Sequence, residues 1–171
     1  RLNGRTLVTL VGPPGVGKTR LAVEAGGIAR ERGGFDDGIW FCDLRDARRL
    51  TDVIARVADR FGLPLSSRRD PEGASEFIAS WMTGQSLLLI LDNMEHLVDA
   101  VGGLLNRWMV DGASLLATSR RPLGLGRETT VDLGPLAVEE AVALYVERGR
   151  EASRFAPVGD IDEGAVARLV E

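Results

Sequence analysis

Short apolar runs rich in β-branched residues alternate along this chain with longer stretches in which apolar residues recur every three or four positions. TLVTLV (6–11) has the length and content of a buried strand and stops at Gly12-Pro13-Pro14. From Lys18 the pattern predicts a helix with Leu21, Ala25, Ile28 and Ala29 inward, ending near Gly33-Gly34. GIWFCDL (38–44) predicts a second strand, and Leu50, Val53, Ile54, Val57, Ala58 and Phe61 trace a helical stripe closed by Gly62-Leu63-Pro64. A polar loop, SSRRDPEG, leads to a helix carrying Ala74, Phe77, Ile78, Trp81 and Met82.

SLLLILD (86–92) does not alternate, so it reads as a strand buried on both faces and central in a sheet. A helix beginning near Met94 follows, with Leu97, Val101, Leu104, Leu105 and Trp108 inward; then come strand ASLLATS (113–119), loop RRPLGLGR and strand TTVDL (129–133). Strands alternating with helices predict a parallel, doubly wound α/β sheet with right-handed crossovers. After Gly134-Pro135 the pattern turns helical, through Val138, Ala141, Val142 and Tyr145 and then Ile161, Val166, Leu169 and Val170. Residues 1–134 are therefore expected to form a core domain, and 135–171 the opening of a truncated helical subdomain.

Composition narrows the setting. At 171 residues and 44% hydrophobic the chain suits one ordinary core. A net charge of -4 gives no general reason to bind nucleic acid, and no direct nucleic-acid contact is expected. Cys42 is the single cysteine and reads as a small core residue. No apolar run approaches the roughly 18 residues of a membrane span, so the expectation is a cytoplasmic chain without membrane contact. Among 21 basic residues Lys18 is the only lysine, the other twenty being arginine. Lysine is thus retained where a thin stem must carry a compact ammonium along a tight loop.

That lysine lies in GPPGVGKT (12–19), a G-x-x-x-x-G-K-T pattern set between strand and helix. The physics of the pattern is specific. Gly12, Pro13, Pro14, Gly15, Val16 and Gly17 form the loop; its glycines permit close backbone approach, and its amides with the start of the helix through Lys18, Thr19 and Arg20 make a phosphate cradle. Lys18 is the group to bridge β- and γ-phosphates, and the Thr19 hydroxyl suits Mg²⁺. The expected ligand is an adenine nucleotide, ATP or ADP with Mg²⁺.

Asp92 stands at the carboxyl end of the apolar strand, where such folds bind ligands, and can hold the same Mg²⁺; otherwise it caps the next helix. The residue after it is Asn93, which accepts no proton, so hydrolysis is expected to be slow. Glu95 and the sole histidine, His96, are alternative water-orienting groups, both on the predicted first helical turn, where a glutamate simply favours the dipole. Arg120, at the carboxyl edge of the fourth strand, is the candidate to meet the γ-phosphate, whereas Arg121 and Arg127 read as solvated loop residues. Lys18, Asp92 and Arg120 are thus the candidate catalytic set.

GPPGVGKTRLA, LLLILDNMEHL, LLATSRRPLGL and LGPLAVEEAVALYVERG, in that order, resemble the bacterial STAND ATPases: nucleotide-binding domains of large LuxR-type and antibiotic-regulatory-protein-type transcriptional regulators, akin to the NB-ARC module. The resemblance implies a three-layer P-loop fold with a five-stranded parallel sheet of order 5-1-4-3-2, which sets Arg120 toward the γ-phosphate. It also implies an ADP-bound resting state, exchange for ATP and nucleotide-dependent self-association of the full-length protein. Two segments of that family, an upstream stretch touching adenine and a downstream Gly-x-Pro helix, have no counterpart in these residues. Two other readings are a small-molecule P-loop kinase, for which no acceptor site is evident, and an interaction scaffold that binds no nucleotide. A GTPase is disfavoured further, because the Asn-Lys-x-Asp guanine motif needs a second lysine and Lys18 is the only one in this sequence.

Overall fold

The computed structural model describes residues 6–65, 70–137, 139–144 and 146. Five parallel strands form one sheet: β1 (Thr6–Val11), β2 (Ile39–Asp43), β3 (Leu87–Asp92), β4 (Ala113–Ser119) and β5 (Glu128–Asp132). Their spatial order is β2-β3-β4-β1-β5, the expected 5-1-4-3-2 read from the opposite edge. Every residue of β3 and β4 is buried, which is why their apolar runs do not alternate. β5 is an edge strand and mostly exposed.

The pleat divides the apolar residues of β3 between two layers. Leu87, Leu89 and Leu91 join the larger core with Val57, Ile78 and Trp108, beneath α2 (Leu50–Phe61), α3 (Pro71–Met82) and α4 (Val98–Trp108). Leu88 and Ile90 join the smaller one with Leu10 and Leu116, beneath α1 (Lys18–Glu31). Of the expected stripe of α2, Val53, Ile54, Val57, Ala58 and Phe61 are buried and Leu50 is half-buried, and the helix stops at Gly62, whose φ of 68° is the left-handed conformation of a helix end. Cys42 is buried in the larger core, and burial pushes its thiol up to about 12, leaving it an unreactive apolar side chain.

The expected face of α1 is corrected. Leu21 and Ile28 are 41% and 48% exposed, whereas Ala22 and Gly26 are buried. Thr19, Ala22 and Gly26 share one helical face, and Thr19 is bonded to the end of β3. The chemistry at the first turn therefore sets the helix's rotation, and small residues face the sheet. A Cβ on Gly26 would lie 3.1 Å from Ile90 Cδ1 and 3.4 Å from Ile39 Cγ2, so the helix sits close.

The chain divides into two compact units between Leu133 and Gly134. In the second, residues 139–144 and 146 are helical, and the Ala137 amide donates to Glu140 Oε2 at 3.1 Å. Val138, Tyr145 and the stripe Ile161, Val166, Leu169 and Val170 lie outside the described residues. Among the described residues no helix is long and apolar enough to cross a membrane.

Candidate functional site

The site is built where β1 gives way to α1. The Gly12 amide donates to the Ser119 carbonyl at the end of β4 (3.3 Å), and a Cβ at Gly12 would stand 2.5 Å from the Leu133 carbonyl oxygen, so only glycine fits. Gly15 and Gly17 have φ of 83° and 95°, the left-handed region glycine occupies without a Cβ penalty. Beyond the adjoining residues of the loop, no protein atom among the described residues lies within 4 Å of a Cβ built on either. Pro13 and Pro14 are exposed and Val16 is half-buried along the loop. Lys18 folds back over it, its Nζ donating to the carbonyls of Gly12 and Pro13, each at 2.9 Å. Arg20 projects from the first turn of α1 and is exposed.

Across from the loop, the Asp92 carboxylate is fully buried. A buried carboxylate requires hydrogen-bond donors, and three side chains supply them. Thr19 Oγ1 donates at 2.9 Å to Oδ1 and 3.0 Å to Oδ2, Thr118 Oγ1 at 2.6 Å to Oδ1, and Asn93 Nδ2 at 3.0 Å to Oδ2. Thr118 had no mark in the sequence beyond being polar in a strand, yet its hydroxyl also accepts the Asn93 amide at 2.9 Å. Asp43 stands beside Asp92 in the sheet register and accepts from Asn93 Nδ2 at 3.4 Å. Burial pushes the Asp43 carboxyl up, but the Arg45 amide, Asn93 and the Arg45 guanidinium outweigh it and hold the group below its usual range.

Thr19 and Asp92 together offer a hydroxyl and one carboxylate. Among the described residues no group of three or more histidine, cysteine or acidic side chains forms a metal cage. This donor set fits Mg²⁺, which is held by one or two carboxylates together with phosphate and water oxygens. The open glycine loop and the Lys18 ammonium fit the phosphates.

The segment after Asp92 differs from expectation. Asn93 takes φ 66° and ψ 51°, the single positive φ outside glycine among the described residues, and a 3-10 turn, Met94–His96, precedes α4. Asparagine tolerates this conformation, and it turns the chain away from a direct helix start. Glu95 is consequently no dipole partner of α4; its Oε1 accepts from Arg120 Nε at 3.1 Å. His96 pairs through Nε2 with the Ala47 carbonyl. Arg120 lies at the carboxyl edge of β4 and meets Glu95, without a hydrogen bond to Lys18, Thr19 or Asp92. Arg121 pairs with Asp99 at 2.7 Å, and Arg127 is exposed. Beside Asn93, a cavity of about 670 Å³ is lined by Arg45, Arg48, Glu95 and His96 together with Arg120 and Arg121.

The sequence profile of the AAA domain matches residues 1–122. A Mycobacterium tuberculosis protein bearing the name "Putative HTH-type transcriptional regulator" is 37% identical over 158 aligned positions, covering 88% of this chain and 16% of that protein. The chain thus spans about a sixth of the length of the first curated relatives it matches. Among solved structures, Cdc6p from Pyrobaculum aerophilum superposes with a TM-score of 0.68 at 14% identity, covering 96% of this chain and 47% of its own. The Aeropyrum pernix ORC2 protein, solved as ADPNP and ADP complexes, gives 0.57 at 16% identity over 85% and 45%. A STAND protein with a tetratricopeptide repeat sensor, from Pyrococcus horikoshii, gives 0.54 at 18% identity over 97% and 25%. At these identities the three structures bear on the fold.

Proposed function

This chain belongs to the AAA domain family, and on that premise we propose that it is the ATP/ADP-binding switch of a multidomain bacterial signalling or transcriptional regulator, with slow ATP hydrolysis. The reading rests on one observation above the others. An open glycine loop ends in a threonine whose hydroxyl is bonded to a fully buried strand-end aspartate. The mycobacterial relative supports the regulatory setting, and the STAND and NB-ARC-like assignment rests on the motifs GPPGVGKTRLA, LLLILDNMEHL and LLATSRRPLGL.

In this reading the backbone N–H groups of Gly15, Val16, Gly17, Lys18 and Thr19 receive the phosphates, with Gly12, Pro13, Pro14 and Arg20 bordering them. The Lys18 ammonium exchanges the Gly12 and Pro13 carbonyls for phosphate oxygens. Thr19 and Asp92 hold Mg²⁺, which when bound neutralises charge on the β- and γ-oxygens. Arg120, held at rest by Glu95, is the cation that answers a third phosphate. Asn93 occupies the position after the strand-end acid and takes no proton from water, which suits a switch that turns over slowly. The full-length protein rests with ADP, exchanges it for ATP and then self-associates, while this domain makes no nucleic-acid or membrane contact of its own.

The test is calorimetry of the full-length protein with ADP and Mg²⁺, alongside identification of the nucleotide retained on purification. Lys18→Ala should weaken binding by at least about 10-fold, since hydrogen bonds to charged groups contribute about 1.5–3 kcal/mol each. The fold should survive, because the Lys18 side chain bonds only its own loop. Unchanged affinity overturns the assignment. With ATP, free phosphate rather than a phosphorylated product separates the switch from a kinase.

A further inference from the structure

The arginines at the carboxyl edge of the sheet are more than the nucleotide reading uses. Arg45 and Arg48 come from the connection after β2, and Arg120 and Arg121 from the loop after β4; all four line one cavity of about 670 Å³, with Asn93 between them. β2 and β4 flank β3, so the parallel topology brings the two arginine pairs to either side of its end. Residues 12–19 do not line this cavity. A chain of net charge -4 therefore gathers four guanidinium groups around one concavity, against a single lining carboxylate, Glu95.

We propose that this cavity is a second anion site beside the glycine loop, bordering it through Asn93 and Arg120, and that it takes a small ligand carrying two or more phosphate or carboxylate groups. Its volume falls within the range of about 300–1,000 Å³ typical of small-molecule pockets. Guanidinium forks match both anions in paired hydrogen bonds. The Arg48 guanidinium has no hydrogen-bond or ion-pair partner among the described residues; its backbone amide alone is engaged, by Asp52. The other three are held in ion pairs with partly exposed arginines: Arg45 with Asp43, Arg121 with Asp99 and Arg120 with Glu95, the arginine side chains being 66%, 54% and 59% exposed. Pairs this exposed are weak and readily exchanged for a multivalent anion. The Arg120 pair is incomplete as well, because Glu95 Oε2 is buried without a hydrogen-bond partner. A single anionic group gains little against these competitors, which is why the ligand needs at least two.

The site is tested on the full-length protein carrying Lys18→Ala, without magnesium, so that the result does not depend on nucleotide occupying the loop. Inorganic pyrophosphate and citrate are titrated separately by calorimetry. One equivalent of one or both should bind, and adding Arg48→Ala should weaken that binding by about 10-fold or more, the effect of losing hydrogen bonds to a charged group. Arg48→Lys, which keeps the charge and loses the fork, should fall between. Pyrophosphate alone assigns a phosphorylated ligand, citrate alone a polycarboxylate, and both a general polyanion site. In otherwise wild-type protein Arg48→Ala should leave ADP affinity within twofold, which also reports that the variant is folded. Absence of binding by both probes at millimolar concentration, or binding that Arg48→Ala leaves unchanged, overturns the proposal.

Discussion

The Thr19 hydroxyl lies 2.9 Å from Oδ1 and 3.0 Å from Oδ2 of Asp92, joining the first turn of α1 to the end of β3 across 73 positions of sequence. The same carboxylate takes hydrogen bonds from Thr118 and Asn93, so its orientation is fixed before any ligand arrives. Preorganisation of this kind makes the aspartate the group whose loss should be felt through the metal. Asp92→Asn should leave ADP binding in EDTA little changed and remove the gain that Mg²⁺ provides, by about 10–100-fold, the usual cost of disturbing outer ligands of a metal. Calorimetry with and without Mg²⁺ reads this directly; an equal loss in both conditions would assign Asp92 to the fold alone.

Asn93 carries the slow-hydrolysis reading. Replacing it with glutamate places a proton acceptor where the chain has an amide, and phosphate release from ATP should rise by about 10-fold or more, still below the ~10²–10⁴ of a well-placed base. The same change should lower the melting temperature. A left-handed φ of 66° disfavours glutamate, and the new carboxylate meets Asp43 and Asp92. An unchanged hydrolysis rate would mean that the slowness does not originate at this position.

The contrast between β3 and α1 shows what periodicity can convey. Six consecutive buried positions of β3 follow from an apolar run too dense for a one-faced strand. The rotation of α1 does not follow from its leucine and isoleucine, because Thr19 and the loop before it fix which face meets the sheet, and that face is made of small residues. Thr118 and Asp43 join the site through strand register, a relation between distant segments that local composition does not carry. The Glu95–Arg120 pair has the same origin, requiring β3 and β4 to be neighbours.

Two adjacent glycines in α1 make the rotation testable. Gly27 has no protein atom within 4 Å of a built Cβ, so Gly27→Ala should stabilise the protein by about 0.8–1 kcal/mol through helix propensity. Gly26 faces Ile90 and Ile39, and Gly26→Val should destabilise by about 1–3 kcal/mol through overpacking. Denaturant midpoints for the two variants should move in opposite directions. If Gly27→Ala were the costly one, the face assigned to α1 would be wrong.

Glu128 governs the loop that delivers Arg120 and Arg121. Its carboxylate accepts the amides of Leu123 at 2.8 Å, Gly124 at 2.7 Å and Leu125 at 3.2 Å, closing the turn in which Leu123 is anchored in the larger core. Burial pushes the carboxyl up, but these amide donors outweigh it, and the group titrates below its ordinary value. A carboxyl depressed in the folded state contributes its full stabilisation above the unfolded value of about 4.3 and loses it as pH falls through the lower folded value. Glu128→Gln keeps the shape without the charge, so it should cost about 1–2 kcal/mol at pH 7 through weaker hydrogen bonds. The difference from wild type should shrink as pH drops below about 4.3. Urea unfolding of both proteins from pH 7 to pH 3 measures that convergence, and a gap independent of pH would mean that the charge of Glu128 does not hold the loop.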